Sequence, residues 1–250
     1  MEKLKPIISE EQLITSADTD FSRQLSLSAL VNFHIQVAWH HAEHLGFGMQ
    51  FLHDHGLVWM LSRLHIRIFK NPFWNDKILL ESWPKGIRRL FYLRDFQFSD
   101  FDGNLISKAT SEWLIIDWKT KRPKMYNPDH NIFKENQDKH ALNEAVPVLQ
   151  TPESEFKEFP NQVSYSDIDL NQHLTTTRYV EWMLNCFDLV YLQEFAPWEL
   201  IINFSKEIPY GKRVGIKRYK LREENIWQFE FVFPEDQTVC FRGSISFRPR

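Results

Sequence analysis

Apolar residues near the start of the chain recur at helical spacing. Leu30, Val31, Ile35, Ala38, Ala42 and Leu45 fall near one face over residues 25–45, which predicts an amphipathic helix. Ser26 or Ser28 can cap it, and Gly46 and Gly48 can end it. A further helical turn fits residues 49–55. Past Gly56 the period falls from 3.6 to 2. Leu64, Ile66 and Ile68 alternate with Arg63, His65 and Arg67, the pattern of a strand with one face buried. Asn71-Pro72 interrupts it. Further strands are predicted over 77–83, 90–98 and 105–117, with an acidic turn at 100–104. Residues 1–20 read as a lead-in strand or tail.

The same order then returns. Residues 129–160 are polar and broken by Pro147, Pro152 and Pro160, and read as a connector with a short helix over 131–144. A short strand is predicted at 163–165 and a turn rich in Asp and Asn at 167–174. A helix follows over 175–193, with Tyr179, Val180, Met183, Phe187 and Val190 inward. Strands are predicted at 198–208, 213–221, 227–233 and 239–247. The landmarks pair off in order. Phe98 and Phe231 each close an alternating run, and Ser111 and Ser244 follow at the same offset. Trp59 and Trp198 open matching strands, and Pro72 and Pro209 close them. An ordered series of this kind implies an internal duplication. Each half predicts a two-layer α+β unit, a long helix on a curved antiparallel sheet. Pairing their edges removes two exposed strand edges. The expectation is a tandem, or double, hot-dog fold: a first domain at 1–128, a connector at 129–160 and a second domain at 161–250.

Composition narrows the function. The chain has 21 Phe and 9 Trp among its 250 residues, enough bulk to fill wide cores and to line an apolar pocket for a lipid-like ligand. A formal net charge of −3 gives no sign of the strongly basic face that nucleic acid requires. Two cysteines, Cys186 and Cys240, form neither a disulfide framework nor a metal cluster, and suit a reducing cytoplasm. The start of the chain lacks an apolar targeting core, and no run reaches the roughly 20 apolar residues of a membrane span. A cytoplasmic protein is expected.

The stretch that carries chemistry is Tyr165-Ser-Asp-Ile-Asp-Leu-Asn-Gln-His-Leu-Thr-Thr-Thr-Arg-Tyr179. Asp169, Asn171 and His173 stand at i, i+2 and i+4, and in extended chain they project to one side. A helix begins just after them. Helix N-termini offer free N–H groups and partial positive charge, which suit a thioester carbonyl and its oxyanion. Asn and His add donors, and Asp can orient them or act as a base. Taken alone, Asp-Leu-Asn also reads as turn and capping chemistry.

This segment resembles the acyl-ACP thioesterase signature, in which Asp-x-Asn-x-His and a hydrophobic residue lead into a helix near Lys/Arg-Tyr. Asp169, Asn171, His173 and Tyr179 match. The family's Glu on the next strand corresponds to Glu207 in Phe204-Ser-Lys-Glu207. The first half is similar to the family's N-terminal domain through Ala42-Glu-His-Leu-Gly-Phe-Gly48, Trp59-Met-Leu-Ser-Arg63, Pro72, Trp83, Arg94-Asp95-Phe96 and Ala109-Thr-Ser-Glu-Trp113. The resemblance is to the bacterial, tandem hot-dog type. Two positions depart from it. Thr175-Thr176 replaces Asn-Asn, where a hydroxyl serves as helix cap, and Ile208 stands where plant members often carry Cys.

The resemblance implies hydrolysis of acyl thioesters on acyl carrier protein, with no cofactor and no metal. Asn171 and His173 would position the carbonyl and a carboxylate. Glu207, assisted by Asp169, would act as nucleophile or as general base. The acyl chain would lie in a tunnel of the first domain. The basic run at 119–124 offers a docking patch for the acidic carrier, and pairing of two chains into a homodimer is left open. An acyl-CoA thioesterase and a non-catalytic acyl-binding protein are the alternatives. His40 and His44 have zinc-compatible helical spacing but lack further ligands.

Overall fold

The computed structural model describes residues 4–126, 135–223 and 225–250. Helical spacing near the start of the chain becomes α1 (Leu27–His44). The Ser26 hydroxyl oxygen accepts from the Ala29 amide at 3.2 Å and caps the first turn. Its end is a Schellman motif. The Phe47 amide reaches the Ala42 carbonyl at 3.1 Å, and the Gly46 amide reaches that of Glu43 at 3.0 Å. Gly46 lies at φ +77°, a conformation that strains other residues. Ala42, Leu45 and Phe47 are buried together there, and α2 (Met49–Asp54) follows.

The strands of this half are β1 (Ile8–Leu13), β2 (Leu57–Ile68), β3 (Lys77–Arg88), β4 (Phe91–Asp100) and β5 (Leu105–Asp117). They pair antiparallel in the order β1-β3-β4-β5-β2. Register puts Ser82, Phe96, Ala109 and Ile66 in one cross-strand row. That row faces α1, whose His34 ring packs on Phe96 and Phe98. The next row is Trp83, Asp95, Thr110 and His65, and it faces the other way. The segment after 135 covers it. Trp83 donates to the Lys139 carbonyl at 3.0 Å, and the Asp95 carboxylate accepts from the Ala141 amide at 2.7 Å. Thr110 and Lys85 satisfy the same carboxylate at 2.7 and 2.9 Å. Arg67 pairs with Glu144 at 2.6 Å. His65, which alternation assigns to solvent, is therefore 2% exposed.

The second half holds β6 (Phe156–Gln162), α3 (Thr176–Leu184), α4 (Leu189–Glu194), β7 (Phe195–Phe204), β8 (Arg213–Lys220), β9 (Ile226–Val232) and β10 (Val239–Pro249). Its antiparallel order is β7-β10-β9-β8-β6. Tyr179 of α3 packs on Phe204, Phe231 and Phe241. On the opposite face the chain after Pro147 is fastened. The Leu149 amide donates to Asn203 at 2.7 Å, and the Thr151 hydroxyl donates to Glu230 at 2.6 Å. The chain divides into two compact units, Met1–Leu25 with Phe33–Val146 and Ser26–Asn32 with Pro147–Arg250. Helix packed on an antiparallel sheet, twice, is the hot-dog architecture.

Four elements differ from expectation. No strand forms at 163–165, where Tyr165 opens a 3-10 turn. The helix predicted over 175–193 breaks at 185–188. There the Asp188 carboxylate accepts from the Tyr191 amide at 2.8 Å and starts α4 afresh, as short polar side chains do when they compete for backbone groups. β6 begins at Phe156, inside the polar stretch read as connector. It is an edge strand with mostly exposed side chains, and an edge tolerates Pro160. Of the short helix expected over 131–144, residues 131–134 lie outside the described residues, and 136–138 form a turn.

Helix and sheet lie close at Gly243, where an added Cβ would sit 2.4 Å from Met183 Sδ and 3.0 Å from the Phe241 ring. Gly243→Ala is expected to lower stability by about 1–3 kcal/mol, the usual cost of overpacking, read from urea denaturation midpoints.

Candidate active site

The candidate residues sit on a short bent segment between β6 and α3. Ser164 and Asp167 form a capping box around one 3-10 turn (Tyr165–Asp167), with the Ser164 amide donating to the Asp167 carboxylate at 2.8 Å. Arg178, one turn into α3, lies 3.5 Å from that carboxylate and donates to the Ser166 carbonyl at 3.2 Å. It also pairs with Glu181. The turn is thereby clamped to the start of α3.

The next residues form a tight hairpin. Ile168 bridges to Leu174. The Asp169 amide donates to the His173 carbonyl at 2.9 Å, and the Gln172 amide donates to the Asp169 carbonyl at 2.9 Å. Gln172 takes φ +65°. This is a three-residue hairpin loop closed by a left-handed residue. One carboxylate oxygen of Asp169 accepts from the Asn171 amide at 2.8 Å and from the His173 amide at 3.4 Å. Asp169, Asn171 and His173 thus do not project from an extended chain, as their spacing alone suggested. The aspartate curls the backbone around itself. Asn171 is exposed at the hairpin tip.

Glu207 lies beyond the end of β7 and not on it. The Ser205 and Lys206 amides both turn to the Cys240 carbonyl, at 2.9 and 3.0 Å, and the chain leaves the sheet. It then meets the hairpin. The Leu174 amide donates to the Ile208 carbonyl at 2.8 Å, and His173 bridges to Pro209. Ile208 is fully buried and anchors this contact. The result brings His173 Nε2 to 3.4 Å from Glu207 Oε2, with side chains 25% and 44% exposed. Both are open to a substrate and to water. Thr175 is the N-cap of α3 but makes no side-chain cap bond, contrary to the expected hydroxyl cap. Its amide instead binds the Asp167 carbonyl at 2.9 Å. Tyr179 sits near this group. Burial pushes its phenol well above the ordinary value, and Cys240, Glu207 and Asp169 push the same way. The clamp by Arg178 and Asp167 was not foreseen from spacing. Its only trace in the sequence is the Arg178-Tyr179 pair.

In the first unit a small, half-open cavity is lined by Trp39, Phe47, Trp59, Tyr92, Arg94 and Trp113 among others. Three of these rings have their polar atoms occupied. Trp59 donates to the Phe47 carbonyl at 3.1 Å and Trp113 to Ser111 at 2.7 Å, while Tyr92 is held by the Tyr126 backbone. What faces the cavity is mostly hydrocarbon. At its wall the buried Arg94 meets neutral groups among the described residues, His41 Nδ1 at 2.9 Å and Ser82 at 3.0 Å. His41 Nε2 faces the Lys5 carbonyl at 2.9 Å, so that nitrogen carries the proton and Nδ1 accepts from the guanidinium.

Among the described residues no group of three or more His, Cys, Asp or Glu is arranged to hold a metal ion, and no helix is long and apolar enough to cross a membrane. His40 pairs with Glu10 at 3.0 Å, and His44 accepts from the Lys5 amide at 3.3 Å.

Two family models cover most of the chain. The acyl-ACP thioesterase N-terminal domain matches residues 7–131, and the C-terminal domain of the same family matches 150–248. The chain belongs to the acyl-ACP thioesterase family. Asp169, Asn171, His173 and Glu207 fall in the C-terminal match, and the cavity falls in the N-terminal one. Oleoyl-acyl carrier protein thioesterase 2 of Arabidopsis thaliana is 24% identical over 196 residues, covering 70% of this chain and 52% of its own length. The chain spans about half the length of the curated relatives it matches. An acyl-ACP thioesterase from Bacteroides thetaiotaomicron superposes with a TM-score of 0.81 at 24% identity, over 97% of this chain and 98% of that one. The 12:0-ACP thioesterase of Umbellularia californica gives 0.82 at 18% identity, over 98% and 94%.

In this member of the family, the cavity wall predicts a pH effect on stability. Burial, and then the charge of Arg94, hold His41 down to about 3, against 6.5 for the unperturbed group. Burial also brings Arg94 down to about 9. Below pH 6.5 the unfolded chain binds a proton at His41 that the folded chain refuses. The stability from neutral His41 is therefore complete above 6.5 and lost as pH falls toward 3. By about pH 4 the loss is roughly 3 kcal/mol. Urea denaturation across this range is expected to show a shallower acid limb for His41→Asn.

Proposed function

We propose that the protein hydrolyses acyl thioesters carried on acyl carrier protein, releasing free fatty acid and the carrier thiol and so ending chain elongation. The observation that carries this reading is the 3.4 Å approach of His173 to Glu207 beside the start of α3. A thioester carbonyl set against that helix end meets N–H groups and partial positive charge where the oxyanion develops. Asn171 and His173 position the carbonyl and the carboxylate, and Asp169 holds the hairpin that carries them. Glu207 takes a proton from the attacking water, or attacks the acyl carbon itself. By either route the carbon–sulfur bond breaks and the thiolate leaves.

Membership of the family and the names of its relatives support the reading. So does the hydrocarbon-lined cavity, which suits an acyl chain. Lys119, Lys121 and Arg122 are exposed on the turn after β5 and offer positive charge to an acidic carrier. Cys186 and Cys240 are buried free thiols, in keeping with a reducing cytoplasm.

The test is fatty acid release from a panel of acyl-ACPs of medium to long chain. Glu207→Ala and His173→Ala are each expected to lower kcat/KM at least about a hundredfold. Release from acyl-CoA with none from acyl-ACP would reassign the substrate. A folded wild-type protein that hydrolyses no thioester would make this an acyl-binding protein. Single-turnover reaction in ¹⁸O-water tests the covalent route, because label in Glu207 arises only from water attack on the glutamyl carbonyl of an acyl-glutamyl anhydride.

A further inference from the structure

Arg94 places a cation at the wall of a cavity that is otherwise mostly hydrocarbon. The residue is 7% exposed and stands among the groups that line the cavity. Among the described residues, Nη1 alone of its side-chain nitrogens has hydrogen-bond partners, His41 Nδ1 at 2.9 Å and the Ser82 hydroxyl at 3.0 Å. Neither partner is an anion, and the other ring nitrogen of His41 is committed to the Lys5 carbonyl at 2.9 Å. The acids in adjoining positions are taken. Asp95, next in the chain, lies on the opposite face of β4, where Lys85, Thr110 and the Ala141 amide hold it. Glu112, opposite Leu93 on β5, is held by Arg63 at 2.7 Å and by Arg88. Burial brings Arg94 down to about 9, so it stays charged near neutral pH. The first unit thus keeps a positive charge in its interior with no anion beside it among the described residues. Taking an ion out of water is costly, and an apolar side chain of like volume is often as good for stability or better. A charge kept at that cost in a cavity wall marks a functional site.

We infer that the cavity of the first unit is a binding site for an aliphatic carboxylate, with the carboxylate on Arg94 and the chain along the apolar wall. The chemistry follows from the groups present. Nε and Nη2 lie side by side on one edge of the planar guanidinium, the fork that a carboxylate fits with both oxygens. Trp39, Trp59 and Trp113 supply apolar surface for the chain. A phosphate brings more charge and more acceptors than one guanidinium with two spare donors can satisfy. The cavity is half open, so a chain longer than the cavity is deep can leave by its mouth. Two kinds of molecule carry this group. One is the free acid that thioester hydrolysis releases, and the first unit would then sense the product. The other is an acyl chain with a second carboxylate at its far end. The choice between these sources rests on the proposed function, whereas the site itself does not.

The experiment titrates the 250-residue chain with octanoate and with octan-1-ol in a calorimeter, for wild type, Arg94→Lys and Arg94→Met. Wild type is expected to bind octanoate at least about thirtyfold more tightly than the alcohol, the size expected of a buried charged pair. Arg94→Met is expected to bind the two alike. Arg94→Lys is expected to fall between, since an ammonium keeps the charge without the fork. The urea midpoint of Arg94→Met is expected to match wild type or exceed it. If that variant does not fold, Arg94→Lys carries the comparison. Octanoate bound no better than octan-1-ol by wild type, or bound as tightly by the folded variants as by wild type, would overturn the inference. Eight-carbon acyl-ACPs with and without a terminal carboxylate then distinguish the sources. A chain-end site gives the carboxylated thioester at least about tenfold higher kcat/KM, lost in Arg94→Met. A product site gives no such preference, and octanoate then inhibits octanoyl-ACP hydrolysis in wild type but not in Arg94→Met. A wild type that hydrolyses no thioester would strike the proposed function and leave the octanoate titration standing.

Discussion

A few backbone hydrogen bonds around residues 168–174 hold everything that the site needs. Ile168 pairs with Leu174 across the hairpin, and the other edge of the same segment pairs with 208–209. Each such bond contributes only about 1 kcal/mol net, but leaving one unmade under partial burial costs more. The segment consequently has one low-energy path. That path fixes the Cα positions of His173 and Glu207, and their side chains need only ordinary reach to meet. The departure of the chain from β7 after Phe204 belongs to the same constraint, since a strand continued through 205–208 would leave the hairpin without a partner. Arg178 completes the frame by tying the preceding turn to α3.

Periodicity made much of the fold readable. The helix at Leu27–His44, most of the strands and the duplication follow from where apolar residues recur, because burial of one face is what that pattern encodes. His65 was misread because alternation assumes one wet face, and the covering segment, anchored at Asp95 and Glu144, lies far away in sequence. The break at 185–188 was missed because Phe187 and Val190 prolong the apolar spacing while a local capping bond from Asp188 decides the backbone. Glu207 was found only through resemblance. No rule of spacing connects a residue past a strand end to a hairpin more than 30 positions earlier. The curl at Asp169 was present in the sequence as Asx-turn chemistry, yet the same residues also fitted an extended reading, and only the structure separates the two.

The two units share a plan and differ in what each has kept. The helix α1, which belongs to the first unit from Phe33 on, has 18 residues against 9 in α3. The cavity draws on that extra length through Ala38, Trp39 and Ala42, and on the turn behind it through Phe47. The second unit carries the close pair His173 and Glu207. None of the cavity-lining side chains belongs to the hairpin at 168–174 or to the loop at 205–209. On the proposed reading, hydrocarbon selection and reactivity are written in separate stretches of the gene. Substitutions in one stretch would then change the preferred acyl chain while the other keeps the same chemistry.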